Sequence, residues 1–404
     1  MSATAATSRT RRRRAPALDV VVAGGGMAGA TAALALAHEG FTVAIIESRE
    51  PRPWQAKDEV DLRVVALAPS SARLLDTLGV WSTIRDARVG PYRHMHVWDA
   101  GSGGTLDFDA CGLQRGTLGW IVENRLVQHT LWQALAPAGV RCLCPAQVED
   151  FTADDGGVRV DLADGSSLEA SLLVAADGAA SPLRVRAGIG TTGRDYAQRG
   201  VVAHVRTQRP HGNTAWQRFL PTGPIALLPL ADGRCSIVWT LPETQAEAML
   251  ALSDTAFCEA VGVATDFRLG LVSETSSRGA FPLRLQLAER YMSDRMVLLG
   301  DAAHVVHPLA GQGVNLGLRD VAELRDTLVA AREGGRDIGI GTVLRRYARR
   351  RRSADTLDAR VFDAIEHVFM GKSAAFAPWR GLGMRILDHT DGAKRLFARH
   401  AAGI

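Results

Sequence analysis

The stretch LDVVVAGGGMAGATAALALAHEGFTVAIIE, residues 18–47, decides the fold. Leu18 to Ala23 form a short continuous apolar run bounded by glycine, the pattern of a buried strand. Thr31 to Glu39 is rich in alanine and leucine and reads as a helix closed by Gly40. Phe41 to Glu47 reads as a second strand. Strand, helix and strand within about 30 residues make a βαβ unit, with parallel strands and a right-handed crossover. The turn between strand and helix is Gly24-Gly25-Gly26-Met27-Ala28-Gly29, which satisfies G-x-G-x-x-G. Glycines there allow the tight turn, let backbone approach a pyrophosphate and permit close helix–strand packing. The helix N-terminus adds N–H groups and a positive dipole. Glu47 ends the second strand, where a carboxylate can accept bonds from both hydroxyls of a ribose. Such an acid favours an adenosine ribose without a 2′-phosphate, hence FAD or NAD over NADP.

The rest of the chain is consistent with a folded protein of two or three domains. Its 404 residues are 47% hydrophobic and 22% charged, which excludes disorder, collagen and a disulfide scaffold. Five cysteines without a Cys-x-x-Cys fit a reducing compartment. The formal charge of +4 divides unevenly: Arg9 and Arg11 to Arg14 give the first 14 residues +5, and the remainder carries −1. A basic tail on a neutral body argues against nucleic-acid binding. Arg11–Arg14 followed by the uncharged run Val20–Ala37 mimics a signal peptide or membrane span. Asp19 interrupts the approach, however, and Gly24, Gly25, Gly26 and Gly29 weaken any spanning helix. Residues 1–16 therefore read as a disordered basic leader on a cytoplasmic protein.

Beyond residue 47, residues 70–87 and 123–136 read as helices, and 140–176 as short strands with turns at Asp155-Gly156-Gly157 and Asp164-Gly165. Residues 200–207, 215–220, 224–230 and 234–240 are strand-like, with few intervening helices, and indicate a mixed or antiparallel sheet inserted into an α/β domain. Residues 295–300 read as a further buried strand, 314–333 as a helix, and the chain after 342 as helical and strongly basic.

Two further motifs follow apolar strands. One is Gly300-Asp301-Ala302-Ala303-His304, continuing through Pro308-Leu309-Ala310-Gly311-Gln312-Gly313-Val314-Asn315. The other is Ala176-Asp177-Gly178-Ala179-Ala180-Ser181-Pro182-Leu183-Arg184. An acid directly after a strand, then a glycine-rich approach to a helix, can bind a ribityl hydroxyl and lay backbone against a flat ring. Either motif alone also fits an ordinary strand-to-helix turn.

Together the three motifs resemble the flavin motifs of single-component aromatic hydroxylases, and among these the ubiquinone-biosynthesis hydroxylases, over residues 18–404. The stretches DLRVVAL, LGWIVENRLVQHTLWQAL, LVAADGAASPLR and GDAAHVVHPLAGQGVNLGLRDV carry the resemblance. Residues 218–239 and the end KRLFARHAAGI are similar to its 2-polyprenyl-6-methoxyphenol hydroxylase branch. The resemblance implies a Rossmann-like three-layer FAD-binding domain with a parallel sheet (17–190 and 290–345), an inserted substrate domain (191–289) and a C-terminal helical region (346–404). It implies that Gly24, Gly26, Met27, Ala28 and Gly29 hold the FAD pyrophosphate and Glu47 the adenosine ribose. Arg63 and Arg125 would contact the flavin's phosphate and ribityl side, unless they pair with Glu123 or Asp61. Val148 would meet adenine through its backbone, and Asp177 would support FAD and a passing nicotinamide. Asp301 would bind the ribityl chain, with Gly311, Gly313 and Val314 under the isoalloxazine and Pro308 at the reacting edge.

The implied activity is hydroxylation of a polyprenylated phenol by O2 through a flavin C4a-hydroperoxide, with NAD(P)H as electron donor. No histidine or tyrosine stands out by spacing as a general base. Hydroxylation of another phenol, reduction of a prenyl chain, and a flavin-stabilised subunit of a quinone-synthesis assembly stay open as alternatives. A flavin-dependent halogenase fits poorly, because no two of the eight tryptophans are two residues apart. His94-x-His96 has no third metal ligand nearby in sequence. His304 and His307 read as packing or hydrogen-bonding residues. Arg345, Arg346 and Arg349 to Arg352 read as a solvated helix face or a surface for a partner or acidic lipid. Leu357, Val361, Ile365 and Phe369 lie four apart, an apolar stripe that fits core packing or a membrane surface, and the oligomeric state stays open.

Overall fold

A computed structural model describes residues 17–306, 313–370, 377–390, 392 and 394, with side chains omitted at some positions from 359 onward. Residues 1–16, His307, Pro308 and Gly311, each of which the sequence singles out, lie outside the described residues.

The opening motif forms the centre of the first sheet. Strand Leu18–Ala23 lies between Val43–Ile46 and Ser167–Ala175, parallel to both, with Val20 opposite Val43 and Leu172. Met296–Leu298 extends the parallel array beyond Ser167–Ala175, and Arg141–Leu143 extends it beyond Val43–Ile46. Both faces are covered, which is why the central stretches Val20–Ala23, Val43–Ile46 and Leu172–Ala175 are apolar at successive positions. Val20 and Val22 pack into a helical layer, and Val21 and Ala23 into the layer on the other face. That other layer includes the antiparallel hairpin Val148–Asp154 and Gly157–Leu162, as its two turns predict.

The helical layer comprises α1 (Met27–His38), α2 (Pro69–Thr77), α3 (Trp81–Ala87) and α4 (Asn124–Leu135), joined later by the chain's C-terminal helices. In α1, Ala30, Ala32, Ala33 and Ala35 are at most 1% exposed, so small side chains let neighbouring helices approach closely. The short α5 (Pro182–Arg186) follows the Asp177-Gly178 turn.

The second sheet is antiparallel along residues 279–288, 191–207, 235–242, 223–229 and 214–220. Two helices unforeseen in the sequence reading, α6 (Glu243–Ala251) and α7 (Asp254–Ala264), cover one face of it around Phe257 and Val261. Two expected domain boundaries cross elements of the structure. His94–Asp99 and Thr105–Asp109, assigned to the first domain, pair into the second sheet, His94–Asp99 running parallel to Thr214–Leu220. The boundary at 345/346 falls inside a helix: α8 (Gly313–Glu333) is followed by α9 (Gly341–Met370), whose Val343, Leu344 and Tyr347 are buried in the first core. α10 (Ala377–His389) packs on Thr105–Asp109.

That packing divides the apolar stripe. Phe369 stacks on Phe219 at 4.0 Å, Met384 is buried beside Val97, and Leu357 is 58% exposed. The side chains of Val361 and Ile365 lie outside the described residues.

Candidate cofactor-binding site

Each glycine of the first turn answers a different demand. Gly24 has φ +105°, and a Cβ there would lie 2.2 Å from the Ala176 carbonyl oxygen. A Cβ on Gly29 would lie 1.9 Å from the Gly24 oxygen, so this glycine permits the helix to pack on the turn. Gly26 has ordinary φ, and a Cβ built there meets nothing within 4 Å. Among the described residues nothing requires glycine at 26. The open face at the α1 N-terminus, beside Met27 and Ala28, fits a phosphate-bearing group instead.

Glu47 stands where the motif predicts, but part of its capacity is already used. Its Oε2 accepts the Gly25 N–H at 2.6 Å, and its Oε1 accepts the Arg49 N–H at 3.0 Å. It braces the turn while retaining lone pairs for a ribose. The Gly25 carbonyl accepts Trp132 Nε1 at 2.7 Å and Gln128 Nε2 at 3.1 Å, both from α4. The sequence reading missed these two residues, which carry no motif of their own.

Glu123 is taken by Arg88 at 2.8 Å and by Trp54 Nε1 at 3.2 Å, so it is not the partner of Arg63 or Arg125. Asp61 accepts only the backbone N–H groups of those two arginines. Arg125 Nη2 reaches Asp58 at 3.2 Å, and its buried Nε has no hydrogen-bond partner among the described residues. Arg63 is exposed and makes no ion pair among the described residues. Both guanidiniums thus keep donors for a ligand. Val148 opens the hairpin strand next to Ala146, whose N–H donates to the Glu47 carbonyl at 2.8 Å.

The late motif comes to the same end of the sheet. Gly300 has φ +61°, and its Cα lies against Gly317 of α8, with Ala28 of α1 beside both. The site therefore sits where α1, α8 and the 300–302 turn converge on three small residues. Gly313 and Val314 form the first turn of α8. Asp301 is exposed at this point. The protein mass around it raises its carboxyl above the usual range, against the opposing pull of His304 and Arg63.

Asp177 is engaged locally: its carboxylate accepts the Ser181 hydroxyl at 2.6 Å and the Leu183 N–H at 3.1 Å. The ordered turn in turn places buried Arg184, which donates to the Ala302 carbonyl at 2.8 Å and to the Ala179 carbonyl at 2.9 Å. Mid-chain and late motifs are therefore tied to each other directly.

His304 is 2% exposed, with Nε2 2.7 Å from Asp320 Oδ2. Burial pulls its pKa down, but the carboxylates of Asp320 and Asp355 outweigh that and push it up to about 9. Arg351 is 7% exposed and donates to both carboxylates, so one member of the basic run is core and not surface. His94 and His96 face Asp109 and Asp107 across their hairpin.

Residues 17–357 match the family described as FAD binding domain. Over 387 residues the chain is 38% identical to ubiquinone hydroxylase UbiL of Rhodospirillum rubrum, covering 95% of this chain and 89% of that protein. It is 36% identical over 387 residues to the 3-demethoxyubiquinol 3-hydroxylase of Escherichia coli, covering 96% and 98%. The fold matches the crystal structure of p-nitrophenol 4-monooxygenase PnpA from Pseudomonas putida with a TM-score of 0.75 at 21% identity, over 95% of this chain and 97% of that one.

Proposed function

Because the chain belongs to the FAD binding domain family, we propose that it is an FAD-dependent monooxygenase hydroxylating the aromatic ring of a polyprenylated phenol in ubiquinone biosynthesis. The observation that carries this reading is the open face of Gly26 at the N-terminus of α1, with Ala28 of the same turn packed against Gly300, the residue before Asp301, and against Gly317 of α8. Bound FAD, reduced by NAD(P)H, supplies the oxygen activation that no protein side chain can. The chain's own residues bind and orient. Backbone N–H groups at the start of α1 take the pyrophosphate, Glu47 the adenosine ribose, and Val148 the adenine through its backbone. Arg63 and Arg125 neutralise phosphate or hold the ribityl side, and Asp301 accepts a ribityl hydroxyl. Gly313 and Val314, together with Gly311 and Pro308, would hold the flavin ring, as the resemblance implies.

Purified protein with NADPH and a prenylphenol tests the reaction. Oxygen uptake matched by hydroxylated product supports it, whereas oxygen-independent turnover identifies a prenyl-chain reductase. In a deletion strain, the quinone intermediate that accumulates identifies the ring carbon.

A substrate with a long prenyl tail stays in the bilayer, and no helix among the described residues is long and apolar enough to cross one. We place the membrane contact, on the cytoplasmic side, at the outer face of α9. Arg345, Arg349, Arg352 and Arg360 line a groove of about 900 Å3 and make no ion pair among the described residues. Leu357 at the same groove and Leu382 and Ile386 on α10 are exposed. Cations beside large apolar side chains fit an anionic lipid surface.

A further inference from the structure

We propose that Asp320, Arg351 and Asp355 are positioning residues that fix the turn presenting Asp301 to the flavin. The inference rests on the reading of Asp301 as a ribityl ligand. One oxygen of Asp320, Oδ2, accepts the Gly300 N–H at 2.9 Å and faces His304 Nε2 at 2.7 Å. A single atom thus closes both ends of the segment 300–304. The other oxygen, Oδ1, accepts Arg351 Nε, and Arg351 Nη2 reaches on to Asp355 Oδ1. Asp355 Oδ2 returns to His304 Nε2 at 3.6 Å, so the four side chains form a ring.

All four are less than 10% exposed, and Asp320 and Asp355 are fully buried. Two carboxylates face one guanidinium and one imidazolium, which leaves the ring electrically neutral. Loss of any member strands a charge away from water. Segment 300–304 needs such a clamp because Gly300 sits at φ +61°, outside the regular strand that precedes it. On the far side Arg184 holds the Ala302 carbonyl. Asp301 therefore projects from a turn gripped at the residue before it and at the residue after it. Arg351 and Asp355 act on the turn through Asp320 and His304.

The test uses the full chain, stripped of flavin and titrated with FAD while the loss of FAD fluorescence is followed. The variants are Asp301→Ala, Asp320→Asn, Asp355→Asn, Arg351→Met and Arg351→Lys. Arg295→Met is the control. Arg295 is also buried and ion-paired, at 2.7 Å to Asp337, but it lies at the opposite end of strand Met296–Leu298. Asp320→Asn and Arg351→Met are expected to raise the FAD Kd about tenfold or more and to shift the visible spectrum of the bound flavin. Asp355→Asn, the mildest change, should show a smaller effect in the same direction, and Arg351→Lys should recover part of the affinity. Arg295→Met should lower Tm with Kd and spectrum unchanged. Asp301→Ala weakening FAD while Asp320→Asn and Asp355→Asn bind like wild type overturns the inference alone. So does a loss of affinity that tracks Tm equally in all variants, Arg295→Met included. Unchanged affinity in Asp301→Ala overturns the underlying reading of the site.

Discussion

Two turns meet at the candidate flavin site, and they are built by opposite means. The Gly24–Gly29 turn is local: its glycines contact one another and the strands beside them, and Glu47 braces it from 22 positions away. Segment 300–304 is held by side chains from residues 184, 320 and 351, the last acting through Asp320. A site made of backbone and small residues leaves a spaced motif in the sequence. A site held by distant charged side chains does not, because nothing local distinguishes a clamping arginine from a solvated one.

The strongest way to break this comparison is at the glycines. Gly26→Val should abolish FAD retention and leave folding intact, because its Cβ meets only open space among the described residues. Gly29→Val should compromise folding itself, since its Cβ would fall 1.9 Å from a backbone oxygen. Flavin absorbance and far-ultraviolet circular dichroism on both variants separate the two roles. A flavin-replete Gly26→Val would show that the open face serves something else.

That contrast also explains what the sequence revealed. The parallel core, the hairpin at 148–162, and the placing of Gly26, Glu47 and Asp301 followed from apolar runs and turn residues. Helices α6 and α7 are not legible because the strands around them set the character of that region. The transfer of residues 94–109 to the second sheet depends on a pairing with residues 214–220 that no local pattern reports. Arg351 stood inside a run of six arginines between 345 and 352, and only the fold reveals that it faces Asp320 while Arg349 and Arg352 face solvent.

A smaller effect is expected at the end of the second turn. Asp301→Ala removes one hydrogen bond to a ribityl hydroxyl and should weaken FAD binding by about 1–3 kcal/mol, read by fluorescence titration. A larger loss would mean that the substitution collapses the turn as well.

The buried ring predicts a pH dependence of stability that the first turn cannot supply. His304 is held protonated to about pH 9 by Asp320 and Asp355, with Arg351 and Tyr291 also facing the group. In the unfolded chain an ordinary histidine loses its proton near 6.5. The folded state therefore binds more protons between these values, and its stability falls as pH rises from 7 to 9. The slope is at most about 1.4 kcal/mol per pH unit. Urea denaturation of the flavin-free protein should show the decline, and His304→Gln should flatten it. An equal slope in both proteins would place the titrating group elsewhere.

The smallest expected effect tests whether the basic helix divides into an inner and an outer face. Arg349 and Arg352 are exposed in the groove, Arg350 pairs with Glu323 at 2.8 Å, and Arg351 is core. Replacing the whole run would confound lipid binding with loss of the buried ring. The informative variant is Arg349→Gln with Arg352→Gln, which spares Arg351. It should keep wild-type Tm and FAD content while losing about 1 kcal/mol of vesicle affinity for each arginine removed. Co-sedimentation with vesicles containing phosphatidylglycerol, at low and at 0.5 M salt, reads the difference, since exposed charges are screened at high salt. Equal binding to neutral and anionic vesicles, or no change in the double variant, would remove lipid from the outer face. If Tm falls instead, the outer arginines belong to the same buried network as Arg351, and the division of the helix into two faces fails.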